Sequence, residues 1–125
     1  MEIEIWHGIG SMDRNLTISI IVVWLQSILH DWGDDHCRKL LKNCHKALPE
    51  KGKVIVVDTI IPVAAETSLH ARHAFDLDLN MLTNSPGGKE RTEPEFQELA
   101  DAAGFVGGVK PICCVNGFWV MEFHK

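Results

Sequence analysis

The chain has 125 residues, of which 46% are hydrophobic and 23% charged, and its net charge is −5. This length and composition suit a single globular domain with its own core, and the negative charge argues against a nucleic-acid-binding protein. The longest apolar stretch, residues 16–29, is too short and too polar to cross a bilayer. The four cysteines form no C-x-x-C pair, and the N-terminus is acidic where a secretory leader is basic, so we expect free thiols in a cytoplasmic protein.

The first third of the chain is predicted to hold an irregular segment, a strand and a helix. Residues 1–17 show no clear hydrophobic period, and their glycines favour a loop. Residues 18–24 are dense in Ile and Val, which is typical of a strand buried on both faces. Acidic residues then begin a helix over residues 34–48, where apolar side chains recur at helical spacing until Pro49.

The middle of the chain is predicted to form a second buried strand and a long helix. The strand covers residues 54–57 and ends at Asp58. Residues 68–83 are apolar on nearly every side, which is typical of a buried helix. The same stretch also carries two histidines, two aspartates and an asparagine. Because buried polar groups need partners, we expect this helix to line a cavity or an interface.

The last third is predicted to form a helix and a hairpin. Thr92 and Glu95 have the spacing of a capping box, which begins a helix. Two strands, residues 109–114 and 118–124, flank an Asn-Gly pair, which is the strongest short hairpin signal. The helix between the first two strands predicts that those strands are parallel. The fold class is therefore α/β, with parallel strands joined by crossover helices and a terminal antiparallel hairpin.

His30 follows the first predicted strand, where the chain leaves the core. Ligands of open α/β sheets lie outside the carboxyl ends of the strands, and a histidine there can transfer a proton near neutral pH. Its position alone fits a second explanation better, namely a polar residue that simply ends a strand. The choice between the two depends on the residues around it.

No metal site is predicted. His36, Cys37, Cys44 and His45 lie on one predicted helix and could share a face. The two cysteines, however, belong to its apolar stripe, where a free cysteine is usually a small core residue. Closed zinc sites show more recognisable pairs of ligands than these.

Three motifs carry a resemblance to a known family. They are H-D-W at residues 30–32, G-G-K-E-R-T at residues 87–92 and M-E-F at residues 121–123. In combination they resemble the plant phenolic O-methyltransferases of the caffeic-acid and isoflavone type, which depend on S-adenosylmethionine. The resemblance extends over about residues 22–125. It implies the C-terminal half of a Rossmann-like class I methyltransferase sheet.

The resemblance implies a catalytic role for three residues. His30 matches the base that takes the proton from a phenolic hydroxyl. Glu90, delivered by the glycine turn before it, matches a carboxylate that orients this histidine. Asp58 stands where the caffeic-acid type often has a glutamate, the second carboxylate beside the base, and it is one methylene shorter. A base is needed because a phenol, with a pKa of about 10, is a poor nucleophile at neutral pH.

The resemblance also implies contacts with cofactor and substrate. Trp32, Met12 and Gln26 match positions beside the cofactor, S-adenosylmethionine, and Gln26 stands where a lysine is common. Met81 and Asp31 match positions that line the pocket for a small phenol. The implied activity is O-methylation of such a phenol, of the phenylpropanoid or flavonoid type, with no metal.

Parts of the family pattern are missing from this sequence. The family's Gly-rich cofactor turn and its N-terminal dimerisation domain have no counterpart, although the family is homodimeric. We therefore expect an irregular segment, 1–17, followed by a partial O-methyltransferase domain, 18–125. Without preceding strands, residues 18–24 would form an unpaired edge, so we expect weak cofactor binding, self-association and little activity. The alternative is a non-catalytic remnant that is inert or that binds an intact relative.

Overall fold

A computed structural model describes residues 2–10 and 18–125, with side chains from residue 22 onward. The strands within these residues are β1 (Glu2–Gly10), β2 (Ile18–Gln26), β3 (Lys53–Asp58), β4 (Val109–Val115) and β5 (Phe118–His124). The helices are α1 (Asp34–Ala47), α2 (Leu69–Asn84) and α3 (Glu93–Ala103). Across this described part of the chain, one sheet of five strands has the order β1-β2-β3-β5-β4.

The predicted α/β class is confirmed by the pairing of the strands. β2 and β3 are parallel, and α1 connects them. β5 pairs antiparallel with both β3 and β4. Asn116 and Gly117 have positive φ angles of 52° and 87°, the conformation of the tight turn that their sequence predicted.

β1 corrects two predictions about the start of the chain. The irregular conformation predicted for residues 1–17 is wrong over Glu2–Gly10, which pair antiparallel with the whole of β2. The alternation Glu-Ile-Glu-Ile at residues 2–5 was the signal for a strand, but the following glycines obscured it. Because β1 occupies that side of β2, the unpaired edge predicted there is absent from the described sheet. The reason for expecting self-association through it therefore falls away.

The core lies on one face of the sheet, beneath α1 and α3. The sheet contributes every second residue of three strands to it, namely Val23, Leu25, Val54, Val56, Met121 and Phe123. The residues between them on β2, Val22 and Trp24, are only half-buried. The prediction that this strand is buried on both faces is thus wrong at Val22 and Trp24, because α1 and α3 both pack on the face that holds Val23 and Leu25.

α2 is much more exposed than its sequence predicted. Only Ala71 and Ala74 are buried along this helix, while Leu69, Leu79 and Leu82 are 84%, 61% and 75% exposed. A helix that is apolar nearly all round therefore packs on the rest of the described chain along one narrow line. None of the helices in residues 2–10 and 18–125 has both the length and the apolar character needed to span a bilayer.

Candidate active site

His30 lies on a short 3-10 helix, Leu29–Asp31, between the end of β2 and the start of α1. Ser27 has a left-handed conformation with φ 52°, and this turns the chain out of the sheet just before His30. The amide of Ser27 donates to the carbonyl of Val57 at 3.0 Å, which ties this turn to the end of β3. The turn leaves only 12% of the His30 side chain exposed, at the edge where the parallel strands end.

Glu90 makes the direct contact with the imidazole. Its Oε1 lies 2.8 Å from Nδ1 of His30, and Glu90 is buried with 3% exposure. A carboxylate acceptor at Nδ1 favours the tautomer that carries its proton there, so Nε2 keeps a free lone pair. His30 is thereby prepared to accept a proton at Nε2.

Two further carboxylates lie near the ring. Asp58, fully buried at the end of β3, has Oδ1 3.9 Å from Nδ1, which is beyond hydrogen-bond distance. Asp31 has Oδ1 3.6 Å from Nε2, on the other side of the ring. The predicted convergence of His30, Asp58 and Glu90 is confirmed, and Asp58 and Glu90 both lie on the Nδ1 side. Their catalytic roles stay predictions.

The carboxylates shift the pKa values of the cluster. Burial alone lowers the pKa of His30, but the hydrogen bond with Glu90 and the charges of Asp58, Glu90 and Asp31 outweigh it and raise that pKa above 6.5. Burial also raises the pKa of Asp58 to about 7, against a smaller opposing effect of the His30 charge. Neither Asp58 oxygen makes a well-aligned hydrogen bond with a described residue, and the nearby Leu29 backbone lowers the pKa of Asp58 only slightly. The cluster can therefore gain or lose a proton close to neutral pH.

The segment 88–91 encloses the turn that carries His30. A side chain on Gly88 would place its Cβ 2.7 Å from the His30 carbonyl oxygen, so only glycine allows this approach. The Lys89 amide donates to the same carbonyl at 3.0 Å. The predicted role of the glycine turn, which is to deliver Glu90 to His30, is confirmed.

Two residues that support the cluster were not predicted. Arg91 is 1% exposed and donates to the carbonyl of Leu29 at 2.7 Å and to that of Trp32 at 2.9 Å. Asp78 of α2 accepts a hydrogen bond from the Glu90 amide at 2.8 Å. The only signal for Asp78 was its place on an apolar helix, because a polar residue there needs a hydrogen-bond partner.

The residues predicted to contact the cofactor and the substrate lie in different surroundings. Gln26 is exposed at the end of β2 and accepts a hydrogen bond from Trp24 at 3.4 Å. Trp32 is 46% exposed, and Met12 lies outside the described residues. Met81 is half-buried on α2, three residues after Asp78, so both lie on the side of the helix nearest Glu90.

Trp32 stands between two concave surfaces. A cleft of about 350 Å³ is lined by Asp31, Trp32, Asn84, Ser85 and Pro86. A groove of about 370 Å³ runs along α1 and is lined by Ile28, Trp32, His36, Cys37, Lys39, Leu40 and Asn43. Asp31 connects the cleft with His30, because Asp31 lines the cleft and its Oδ1 lies 3.6 Å from Nε2 of the imidazole. His30 itself is not among the lining residues.

The cysteines do not converge with histidines on a metal site in the part of the chain that the structure describes. All four cysteines are free, and Cys37 and Cys44 are buried in the core. The Sγ of Cys37 donates to the Leu29 carbonyl at 3.3 Å. Cys37 therefore packs beneath the turn that carries His30.

Comparison with known proteins points to one family. A family model for the O-methyltransferase domain matches residues 2–106. The chain is 46% identical over 123 residues to caffeic acid 3-O-methyltransferase of Capsicum annuum, covering 96% of this chain and 34% of that protein. It is 59% identical over 98 residues to catechol O-methyltransferase 1 of Solanum lycopersicum, covering 78% of this chain and 26% of that protein.

Solved structures agree on the fold. Human N-acetylserotonin methyltransferase in complex with S-adenosylmethionine superposes with a TM-score of 0.74 at 24% identity, over 83% of this chain and 29% of that chain. The chain spans about a third or less of the length of these relatives. The resemblance stated from the H-D-W, G-G-K-E-R-T and M-E-F motifs is confirmed: the chain belongs to the O-methyltransferase family.

Proposed function

We propose that this chain carries the proton-abstracting part of an S-adenosylmethionine-dependent phenol O-methyltransferase, with His30 as the general base. The observation that carries the proposal is the 2.8 Å contact between Glu90 Oε1 and His30 Nδ1. It leaves Nε2 as the basic nitrogen, on the side of the ring where Asp31 lines the cleft.

The proton moves from the phenolic hydroxyl to Nε2 of His30. A phenol with a pKa of about 10 is mostly protonated at neutral pH, so a base positioned at its oxygen supplies the missing nucleophile. The imidazolium that forms is stabilised by the carboxylate of Glu90 at Nδ1 and by the nearby Asp58. Glu90 and Asp58 thus keep the proton on Nε2 of His30 while the phenolate oxygen reacts.

The cofactor is proposed to lie at the carboxyl end of β2. S-adenosylmethionine, when bound, supplies a sulfonium methyl group. Trp32 and Gln26 would hold it, because they offer an exposed ring and an exposed amide at the edge where ligands of α/β sheets bind. For Met12, only the resemblance supports a contact with the cofactor.

The proposed substrate is a small phenol with a second hydroxyl beside the first. The two relatives above are named for caffeic acid and catechol. Asp31 lies 3.6 Å from Nε2 and can accept a hydrogen bond from the neighbouring hydroxyl. Met81 would pack on the aromatic ring. A cleft of about 350 Å³ is in the range of small-molecule sites.

A cytoplasmic location and homodimers, which the resemblance implies for the family, belong to the same proposal. The free state of all four cysteines is compatible with a reducing compartment. Light scattering behind size-exclusion chromatography tests the oligomeric state, and fractionation tests the location.

The experiment is a chimera in which residues 18–125 replace the matching part of the Capsicum annuum enzyme. Transfer of the methyl group to caffeic acid and to catechol is measured by mass spectrometry. We expect His30→Gln to lower turnover by ~10²–10⁴-fold, as is usual for loss of a positioned base. His124→Gln, which changes a histidine paired with Glu122 on β5, is the matched control and should have little effect. Unchanged turnover in His30→Gln removes His30 from the mechanism, whereas a folded but inactive chimera supports the non-catalytic alternative.

A further inference from the structure

We infer that Arg91 is the positioning residue of the site: its guanidinium holds the turn that carries His30, and so fixes the imidazole against Glu90. The inference rests on the proposed function of His30 as a base. Arg91 itself touches neither the imidazole nor the cleft side of the ring in any described contact, so its effect is exerted through the backbone of residues 29–32.

The side chain of Arg91 bonds to two carbonyls of the turn that carries His30. Nη1 donates to the Leu29 carbonyl and Nη2 to the Trp32 carbonyl, and these two carbonyls flank His30 along the chain. The planar guanidinium has its N–H bonds in fixed directions, so both contacts together fix the separation of the two carbonyls. A lysine has one ammonium group on a flexible stem and cannot hold both carbonyls in the same way.

The other edge of the guanidinium contacts Asp34. Nε and Nη2 donate to Oδ1 of Asp34 at 3.1 and 2.8 Å, and Asp34 is the first residue of α1. Burial raises the pKa of Asp34, but the hydrogen bonds and the charge of Arg91 outweigh it and lower that pKa. The ion pair therefore remains charged at neutral pH. It ties the turn to the beginning of α1.

The backbone of Arg91 is bonded to the segment that follows β3. Its carbonyl accepts a hydrogen bond from the Ile61 amide at 2.9 Å, and Arg91 forms a parallel bridge with Ile60. Ile60 follows Asp58 by two residues, and Glu90 directly precedes Arg91. The three segments that bring His30, Asp58 and Glu90 together are thus all attached to this one residue.

The experiment measures the pKa of His30 in the 125-residue chain by NMR titration of labelled histidines, with the resonance assigned from His30→Gln. The charged groups that face the ring are Asp31, Asp58 and Glu90. Arg91→Lys keeps the positive charge, so a change in the His30 pKa reports geometry. We expect the pKa of His30 to fall toward 6.5, since the Glu90 contact weakens.

The matched control is Lys89→Met. Lys89 is the neighbouring cation, and its Nζ contacts Glu95 at 2.7 Å. Nζ also lies 3.9 Å from Oδ2 of Asp34, so Lys89 shares the charge of this carboxylate without bonding to the carbonyls of the turn. We expect Lys89→Met to leave the His30 pKa within about 0.2 units of wild type. A folded Arg91→Lys chain with the wild-type pKa would overturn the inference, as would an equal shift in Lys89→Met.

A second measurement needs no variant and so does not depend on whether Arg91→Lys folds. Exchange of the Arg91 Nε–H with solvent is expected to be slow in wild type, because this group is buried and bonded to Asp34. Exchange as fast as in a free arginine would overturn the inference. The two proposals can fail separately. If Arg91→Lys shifts the His30 pKa but the chimera is inactive, the role of Arg91 is supported and only the proposed function is contradicted.

Discussion

Asp58→Asn tests the electrostatics of the site, because Asp58 is a buried carboxyl group with an unusual pKa. Burial raises that pKa from 3.8 to about 7. At about 1.4 kcal/mol for each pH unit, the shift corresponds to about 4 kcal/mol of lost stability once the pH exceeds 7. Asp58 is fully buried, so solvent does not screen this penalty. Only the two units between pH 5 and about 7 fall within an assay from pH 5 to pH 8, so we expect Asp58 to lower the free energy of unfolding by about 2–3 kcal/mol across that range, depending on the state of His30.

The sign follows from the number of protons that each state binds. Between pH 3.8 and about 7 the folded chain keeps a proton on Asp58 that the unfolded chain has lost, so stability falls as the pH rises through this window. The pKa of His30 is raised above 6.5, so its contribution is present below 6.5 and is lost as the pH rises through the folded pKa. Both groups therefore make the wild-type chain less stable at pH 8 than at pH 5.

The assay is urea unfolding of the 125-residue chain at pH 5, 6, 7 and 8, followed by circular dichroism. Asp58→Asn should remove most of the fall in unfolding free energy between pH 5 and pH 8. This holds even if the substitution also raises or lowers the stability by a constant amount at every pH. Asp35→Asn is the matched control, since that carboxylate is 97% exposed on α1, and its profile should follow wild type. Equal pH dependence in wild type and Asp58→Asn would refute the account of Asp58 as a buried, high-pKa group.

Two further predictions concern the segment around Glu90. Glu90→Gln removes the carboxylate charge beside Nδ1 that helps to raise the pKa of His30, so that pKa should fall in an NMR titration. Glu93→Gln on the surface of α3 should not change it. Gly88→Ala places a Cβ 2.7 Å from the His30 carbonyl oxygen and should cost about 1–3 kcal/mol in urea unfolding. Gly33→Ala, where the nearest atom lies at 3.6 Å, should cost less, and equal losses would contradict the steric argument.

The elements with local signals were predicted well. Thr92 and Glu95 form the predicted capping box, in which the Glu95 carboxylate accepts from the Thr92 amide at 2.8 Å. Asn116 and Gly117 form the predicted tight turn between β4 and β5, both with positive φ angles. Such signals lie within four residues of one another. They can be recognised before the rest of the fold is known.

Features that depend on distant parts of the chain were not predicted from periodicity. His30 and Glu90 are 60 residues apart, and only the resemblance predicted their contact. The contact of Arg91 with Leu29 spans 62 residues, and no pattern indicated it. The exposure of α2 depends on whether other parts of the protein pack against its leucines. The composition of the helix alone cannot show this.

The site depends on two kinds of structure that respond differently to substitution. β2 and β3 are parallel, and Gln26 lies opposite Val57, so the two strands end side by side. The chain that leaves β2 toward His30 therefore starts next to Asp58, at the end of β3. The core beneath α1 and α3 maintains this register. Substitutions in the core should therefore lower the free energy of unfolding before they change the position or the pKa of the His30 imidazole. Glu90 lies outside the sheet and reaches His30 through residues 88–91, a segment held by the Ile60–Arg91 bridge and the Lys89 amide. Substitutions in that segment should therefore change the pKa of His30 in a chain that still folds.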